Sequence, residues 1–408
     1  MPALEYRPLN ALPLRVQNQE ISFFEWVTLL TLCLTPLVAH VLVGVPSPTI
    51  LDDNRPTWYH RICHYNPTSI LWRYAIIADR RIRAQDWSKA DLAATNALFW
   101  IDGRWDGSEA MTKGTHQYCV HLPEGTRASL FSREMVKTLI VTFQGLQAIT
   151  LLSGGLTEGA IGFTKWMAVD IIFFPIALIG LLRLFCCFWL TDDFSYPSST
   201  DNFLCPCRQP DSSGQSFERF SEDDESRPFL PTTYWGSILF RFVYGLSILG
   251  LLALTICYAI SGGNYTATTF TVLLFYLVFL AATTIIFFIF FICKHDTTTI
   301  IPCISDTWYQ IYTGCIISFA VVAIVIACLE TRKSPCGKFT SGYGPDADVR
   351  ACLGSVADAI PVSEGFDEPF YGLAAYEFTK KNNGSFAKVD DKQQVANFTG
   401  MCLGKLEL

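Results

Sequence analysis

Residues 268–293 read TTFTVLLFYLVFLAATTIIFFIFFIC, without a charge, a proline or a glycine among them. A helix needs about 20 predominantly apolar residues to cross the hydrocarbon of a bilayer, and this block exceeds that. It is expected to face lipid over much of its length. The same criterion selects 23–45, 166–190, 238–260 and 309–329. A sixth block, 135–153, is interrupted by Lys137, Gln144 and Gln147; the lysine can snorkel to the interface and the glutamines can face other helices. The predicted fold is an all-α, multi-pass transmembrane helical bundle of about six spans, five of them uninterrupted.

Composition agrees. Half of the 408 residues are hydrophobic and 16% are charged, against roughly 25% charged in soluble domains. The net charge of -7 argues against nucleic acid as a partner, since phosphate recognition needs a basic face; the lipid bilayer is the partner implied. The first block follows a segment 1–22 and is longer than the apolar part of a signal peptide, so it reads as a retained anchor. Of fifteen cysteines, Cys33, Cys257, Cys293, Cys315 and Cys328 lie in apolar blocks and read as small hydrophobes. No spaced CxxC pairs suggest a zinc ribbon or a redox motif.

Three polar regions separate or follow the spans. In 46–134, Ser88 has the look of an N-cap, and a helix is expected from about Ser88 to Asp102, ended by Gly103. Residues 69–84 suit an interfacial helix, with Leu71, Tyr74, Ala75 and Ile82 on one side and Arg73, Arg80 and Arg83 on another, or else a helix packed on its neighbours. Residues 191–233 are rich in Ser, Asp, Glu and Pro, and 221–226 (SEDDES) has no apolar face, so disorder is expected. Residues 330–408, with Gly-rich turns and scattered aromatics, are expected to form a small C-terminal tail domain.

Three glycosylation sequons, at Asn264, Asn383 and Asn397, fall on one face by crossing parity. They predict a glycoprotein of the secretory pathway or plasma membrane with a luminal or extracellular tail, in which Cys336, Cys352 and Cys402 form at least one disulfide. The acidic loop is then cytosolic, with Arg183 and Arg241 snorkelling to that face. Cys186 and Cys187 lie at the membrane edge, as palmitoylation sites or as packing residues. Region 46–134 is cytosolic with six spans and outside with five.

Ionisable residues within spans are costly and so become functional candidates. Glu25, Arg183 and Arg241 lie near span ends; Asp170 and His40 are the intramembrane polar candidates. Four of the six histidines gather in 46–134, as His60 and His64 around Cys63 and as His116 and His121 around Cys119. Imidazole and thiolate in such groups can hold zinc, although the spacing matches no standard motif. With the region outside the cell, a Cys63–Cys119 disulfide is expected instead. No phosphate-cradling glycine loop and no Gly-x-Ser-x-Gly elbow occurs. The function expected is a cofactor-free transport, channel-like or sensing component. The alternatives are a membrane metalloenzyme using zinc at those histidines, and a scaffold whose extracellular tail binds a partner.

Overall fold

A computed structural model describes residues 9–157 except 43 and 53, then 167–197, 229–260, 263–334, 337–343 and 347, and the strands at 359–362 and 393–396. The chain is mostly helical, at 64%. Among the described residues, four helices are long and apolar enough to cross a membrane: Phe23–Leu42, Trp235–Ile260, Ala267–Cys293 and Thr307–Glu330. These mark a membrane-associated protein.

The helices are α1 (Phe23–Leu37), α2 (Trp58–Ile62), α3 (Pro67–Arg83), α4 (Lys89–Asn96), α5 (Glu109–Gly114), α6 (Arg133–Thr157), α7 (Phe174–Gly180), α8 (Trp235–Ile260), α9 (Ala267–Ile286) and α10 (Thr307–Glu330). Turns of π-helix extend α1 over Val38–Leu42 and α9 over Phe287–Cys293. Local chemistry fixes several starts. Ser22 and Glu25 form a capping box on α1. The buried Glu330 carboxylate accepts from the Ala267 and Thr268 N–H groups at 3.2 and 2.6 Å, placing a negative charge on the orphan donors of α9.

Two faces of the bundle follow from the pairings. On a terminal face, β1 (Leu9–Ala11) pairs in parallel with β5 (Gly263–Tyr265), and the Gln17 N–H donates to Leu329 O at 2.9 Å. There too the Val169 N–H donates to Thr331 Oγ1 at 2.9 Å. On the opposite, loop face, Leu230 N–H donates to Arg83 O at 2.7 Å and Thr299 N–H to Gly107 O at 3.0 Å. Exposed Trp58, Trp235 and Trp308 lie toward this face, as interfacial aromatics do.

Two sequence expectations change. First, the fold is not purely α: β2 (Pro48–Ile50), β3 (Leu98–Ile101) and β4 (Arg104–Asp106) form a three-stranded sheet. The helix started by the Ser88–Asp91 capping box stops at Asn96, because the β-branched and aromatic run 98–101 pairs with β2 and β4. Asp102 and Gly103, at φ 50° and 70°, make the two-residue turn that such a hairpin favours. Second, the described part of 166–190, from Met167, is no continuous helix; it breaks into a 3-10 turn at Val169–Ile171, the seven-residue α7, and 3-10 turns at Leu181–Phe185 and Cys187–Trp189. Ala267–Cys293 is the most buried of the four long apolar helices: Val272, Phe275, Phe279, Thr283 and Ile286 face protein while Leu274, Val278 and Ile285 face outward along its other side. Of the two readings of 69–84, the helix packed on its neighbours is the one found: α3 enters the loop-face end of the bundle, and it and its N-cap Asn66 touch α8, α9 and α10 through Leu71 O with Tyr244, Thr68 with Thr283, and Asn66 with Thr313.

The interrupted block 135–153 lies within α6, 25 residues long. Gly145 lets Leu181 approach α6, and Gly180 lets His40 and Val141 approach α7, the close packing that small residues allow between membrane helices. Residues 198–228, Asn383, Asn397, Cys336, Cys352 and Cys402 lie outside the described residues.

Candidate functional site

Two sites stand out, one polar and one apolar. The polar site is built on the second half of α3. Asp79 is fully buried and accepts from Ser237 Oγ (2.5 Å), Arg241 Nε (3.2 Å), Arg241 Nη2 (2.6 Å) and Arg83 Nε (3.0 Å). Arg241 also donates to Phe291 O at 2.7 Å and Asp296 O at 3.0 Å, and Arg83 reaches Leu230 O and the Glu109 carboxylate. Arg80 holds the carbonyls of Thr297 and Gly107 and the hydroxyl of Thr112; burial lowers its pKa to about 10, so it stays charged at neutral pH. The loop after α9, the strand-to-helix turn at Gly107 and the start of α8 are thereby tied to one helix.

A second polar cluster lies beside it. Arg183 is buried and donates to Thr138 Oγ1 (2.9 Å), Tyr74 OH (3.1 Å) and the Glu134 carboxylate (2.5 Å). Neither Arg183 nor Arg241 snorkels, then; each finds its partners inside the protein, where a paired and hydrogen-bonded charge is tolerated. Cys186 and Cys187 are buried as well, which fits packing and leaves no accessible thiol for acylation.

The sequence-predicted histidines serve separate partners. His60 Nδ1 lies 3.4 Å from Gln310 Nε2. His64 is buried edge-on to Trp105, with ring centroids 4.3 Å apart, and burial, aided by the Arg73 charge, lowers its pKa to about 3. His116 Nε2 lies 3.0 Å from Asp91 Oδ1, and His121 Nε2 2.9 Å from Asp193 Oδ1. Among the described residues no three His, Cys, Asp or Glu side chains come together to hold a metal, and each of these four histidines meets a different partner. Cys63 and Cys119 are free thiols directed at the carbonyls of Tyr59 and His121. His40 packs on Gly180 toward the loop face, while Asp170 sits in the 3-10 turn beside Val169 at the terminal face; the two are not paired. Glu25 pairs with Lys333 at 2.5 Å. Asn264 lies in β5 at the terminal face.

The apolar site exists because 166–190 is broken. Pro175 sits in the first turn of α7, where its missing N–H costs nothing. Backbone groups freed by the break find side chains from neighbouring helices: Met167 N–H donates to Thr269 Oγ1 (3.2 Å), and Ile172 O accepts from Tyr276 OH (3.1 Å). Side chains thus take up backbone groups that an unbroken helix would have paired with one another. Between the broken segment and α8 and α9 runs a small cleft of about 80 Å³. Its walls are Met167, Pro175, Leu178 and Ile179; Leu251, Leu254, Thr255 and Tyr258 of α8; and Tyr265, Thr269, Val272, Leu273, Tyr276 and Leu280 at and along α9. In the sequence, Pro175 and the threonines and tyrosines beside an apolar run are the signals that could have found it.

Compared with protein families, curated proteins and solved structures, the chain matches none.

Proposed function

We propose that this chain is a six-crossing integral membrane protein that works as a non-enzymatic transport or sensing component, binding its ligand in the cleft beside the broken third crossing. In this arrangement α6 and 167–190 are the second and third crossings, and the N-terminus, Asn264 and the tail share the terminal face. That face is luminal or extracellular. The loops 46–134 and 191–233 are cytosolic. The parity of the pairings supports this order, since β1 meets β5 on one face while Leu230 and Thr299 meet 46–134 on the other. The carrying observation is the discontinuity of 167–190, whose residues line the cleft; broken helices at membrane depth are the usual setting of transporter ligand sites.

Two measurements test it. Epitope tags at residues 1 and 408 should both stain in unpermeabilised cells, while a protease site placed at 222–225 is cut only after permeabilisation. A tag at residue 1 that stains only after permeabilisation would mean five crossings. Leu254→Trp and Leu273→Trp should leave the melting temperature within about 3 °C, because the new ring enters open space. A well-packed wall would instead lose about 1–3 kcal/mol, and the cleft reading would fall.

A further inference from the structure

We infer that the groove between α1 and α6 holds one acyl chain of an anionic glycerophospholipid whose head lies at the loop face, against Arg133 and Lys137. The inference rests on the proposed six-crossing reading, which sets α6 in the bilayer and the loop face at the cytosolic leaflet. Its first support is shape. The groove measures about 360 Å³, and Leu34, Val38 and Ile140 on its walls are exposed, so it opens sideways to lipid. From Thr31 to Ala39 it runs about 12 Å at 1.5 Å per residue, and the opposite wall from Lys137 to Gln144 about 10 Å. One leaflet of a hydrocarbon core about 30 Å thick is about 15 Å deep. The groove therefore matches a chain from one leaflet and ends too early to seat a crossing helix of a partner.

The second support is the chemistry of the walls. Thr31 and Thr35 donate their hydroxyls to their own helix, at Val27 O (2.7 Å) and Thr31 O (2.5 Å), and so add no free donor to the groove. Gln144, whose buried Oε1 meets no donor, marks the inner end, because an apolar chain laid across that oxygen would keep it unsatisfied. The third is charge. Lys137 lines the end nearest the loop face, and Arg133 stands one turn before it on the same side of α6. Lys137 shares Glu134 with Arg183 and lies 3.6 Å from Asp192; Asp193 is taken up by His121 instead. Arg133 is exposed and makes no ion pair among the described residues. Arg133, Lys137 and Arg183 thus face two carboxylates, Glu134 and Asp192, and one positive charge is left for a lipid head. Just before Arg133, Leu130 and Phe131 are exposed, Phe131 at 95%; apolar side chains so placed enter the edge of the hydrocarbon and hold Arg133 at the depth of the phosphates. The cytosolic leaflet is the one that carries anionic lipid.

The test uses the full chain in phosphatidylcholine nanodiscs containing a phosphatidylserine photoactivatable in its chain, beside discs containing the matching phosphatidylcholine probe at equal mole fraction. The serine probe is expected to label peptides within 31–39 and 136–144 about fivefold more than the choline probe, the worth of one cation near the surface, and unlabelled phosphatidylserine should compete that label away. Peptides within 239–250, where the single cation Arg241 is buried and paired, should show no preference. Arg133→Gln should abolish the preference without moving the melting temperature, since Arg133 has no partner to lose. Thr35→Trp, which fills the groove from an exposed position, should remove labelling of 136–144. Equal labelling by the two probes, a preference that survives Arg133→Gln, or labelling that survives Thr35→Trp would overturn the inference while leaving six crossings standing. No label on 136–144 from either probe would put α6 outside the bilayer, and the six-crossing reading would fall with the inference. If Thr35→Trp unfolds the protein, Arg133→Gln still decides the head group.

Discussion

Helix α3 and segment 167–190 exchange the roles their compositions suggest. α3 carries four arginines and an aspartate and has the pattern of a surface helix, yet fourteen of its seventeen residues are buried. Segment 167–190 has the composition of a membrane span, yet it holds one seven-residue helix between 3-10 turns. Apolar content measures which solvent a segment prefers, and says nothing about whether its backbone must bond to itself. Where a neighbour offers hydroxyls, as Thr269 and Tyr276 do, a segment can break and stay in the core. Where a neighbour offers a carboxylate and carbonyls, a charged helix can enter it.

The largest test of that contrast is Asp79→Ala. It leaves Arg83 and Arg241, both buried, without their shared carboxylate, and removal of one partner from a buried ion pair costs about 3–5 kcal/mol. Loss of most monodisperse protein in detergent is expected, with Arg241→Met in the Asp79→Leu background recovering a good part, since apolar replacement of both partners is often tolerated. An Asp79→Ala protein that melts like the parent would mean α3 is held by its apolar contacts alone.

On the other segment, Gly180→Ala is the matching probe. A Cβ at Gly180 would overlap the His40 ring, which is itself buried. Forcing either side to shift should cost about 1–3 kcal/mol, as overpacking does. Gly250→Ala, with nothing near its Cβ, is the control and should not destabilise. Similar losses at both glycines would point to backbone effects and remove the close approach as the cause.

Four apolar helices, the cap at Ser88 and the helix through 135–153 were legible because each depends on residues close in sequence. The hairpin at 98–106 was legible in principle, since Asp102-Gly103 between an aromatic run and Trp105 is a two-residue turn signal; the helix pattern before it obscured it. The Asp79 cluster was not legible. Its members, Asp79, Arg83, Ser237 and Arg241, lie up to 162 positions apart, and nothing in the pattern of α3 tells a solvated arginine from one bonded to a distant carboxylate. Nor do the four histidines announce that Trp105, Gln310, Asp91 and Asp193 hold them apart.

The next effect in size is a pH dependence seated at the head of α3. His64 has a pKa lowered to about 3 by burial and then by Arg73, against about 6.5 in an unfolded chain. Above 6.5 neither state binds the proton and stability is flat. As pH falls from 6.5 toward 3 the unfolded state binds a proton that the folded state refuses, and stability falls by up to about 1.4 kcal/mol per pH unit. His64→Phe keeps the edge contact with Trp105 and should flatten the melting temperature between pH 6.5 and 5. If the slope is unchanged, the acid sensitivity belongs to other groups.

The smallest effect expected bears most directly on why 167–190 is broken. Pro175 is the obvious suspect, because a proline inside a helix removes a backbone donor and costs about 3 kcal/mol or more. It stands, however, in the first turn of α7, after Phe173 as N-cap, where no N–H partner is lost. If the proline enforced the break, Pro175→Ala would let the helix extend backward through Val169, withdraw Ile172 O from Tyr276 and stabilise the chain noticeably. If the break is held by outside partners, Thr331 on the Val169 N–H and Tyr276 on Ile172 O, then Pro175→Ala changes stability by less than about 1 kcal/mol, chiefly through the freedom of the unfolded chain. Tyr276→Phe, which leaves the buried Ile172 carbonyl without that donor, should then cost more than Pro175→Ala, about 1–3 kcal/mol. Melting curves of the two variants side by side separate the causes: a larger change at position 175 assigns the break to the proline, and a larger change at 276 assigns it to the partners supplied by α9.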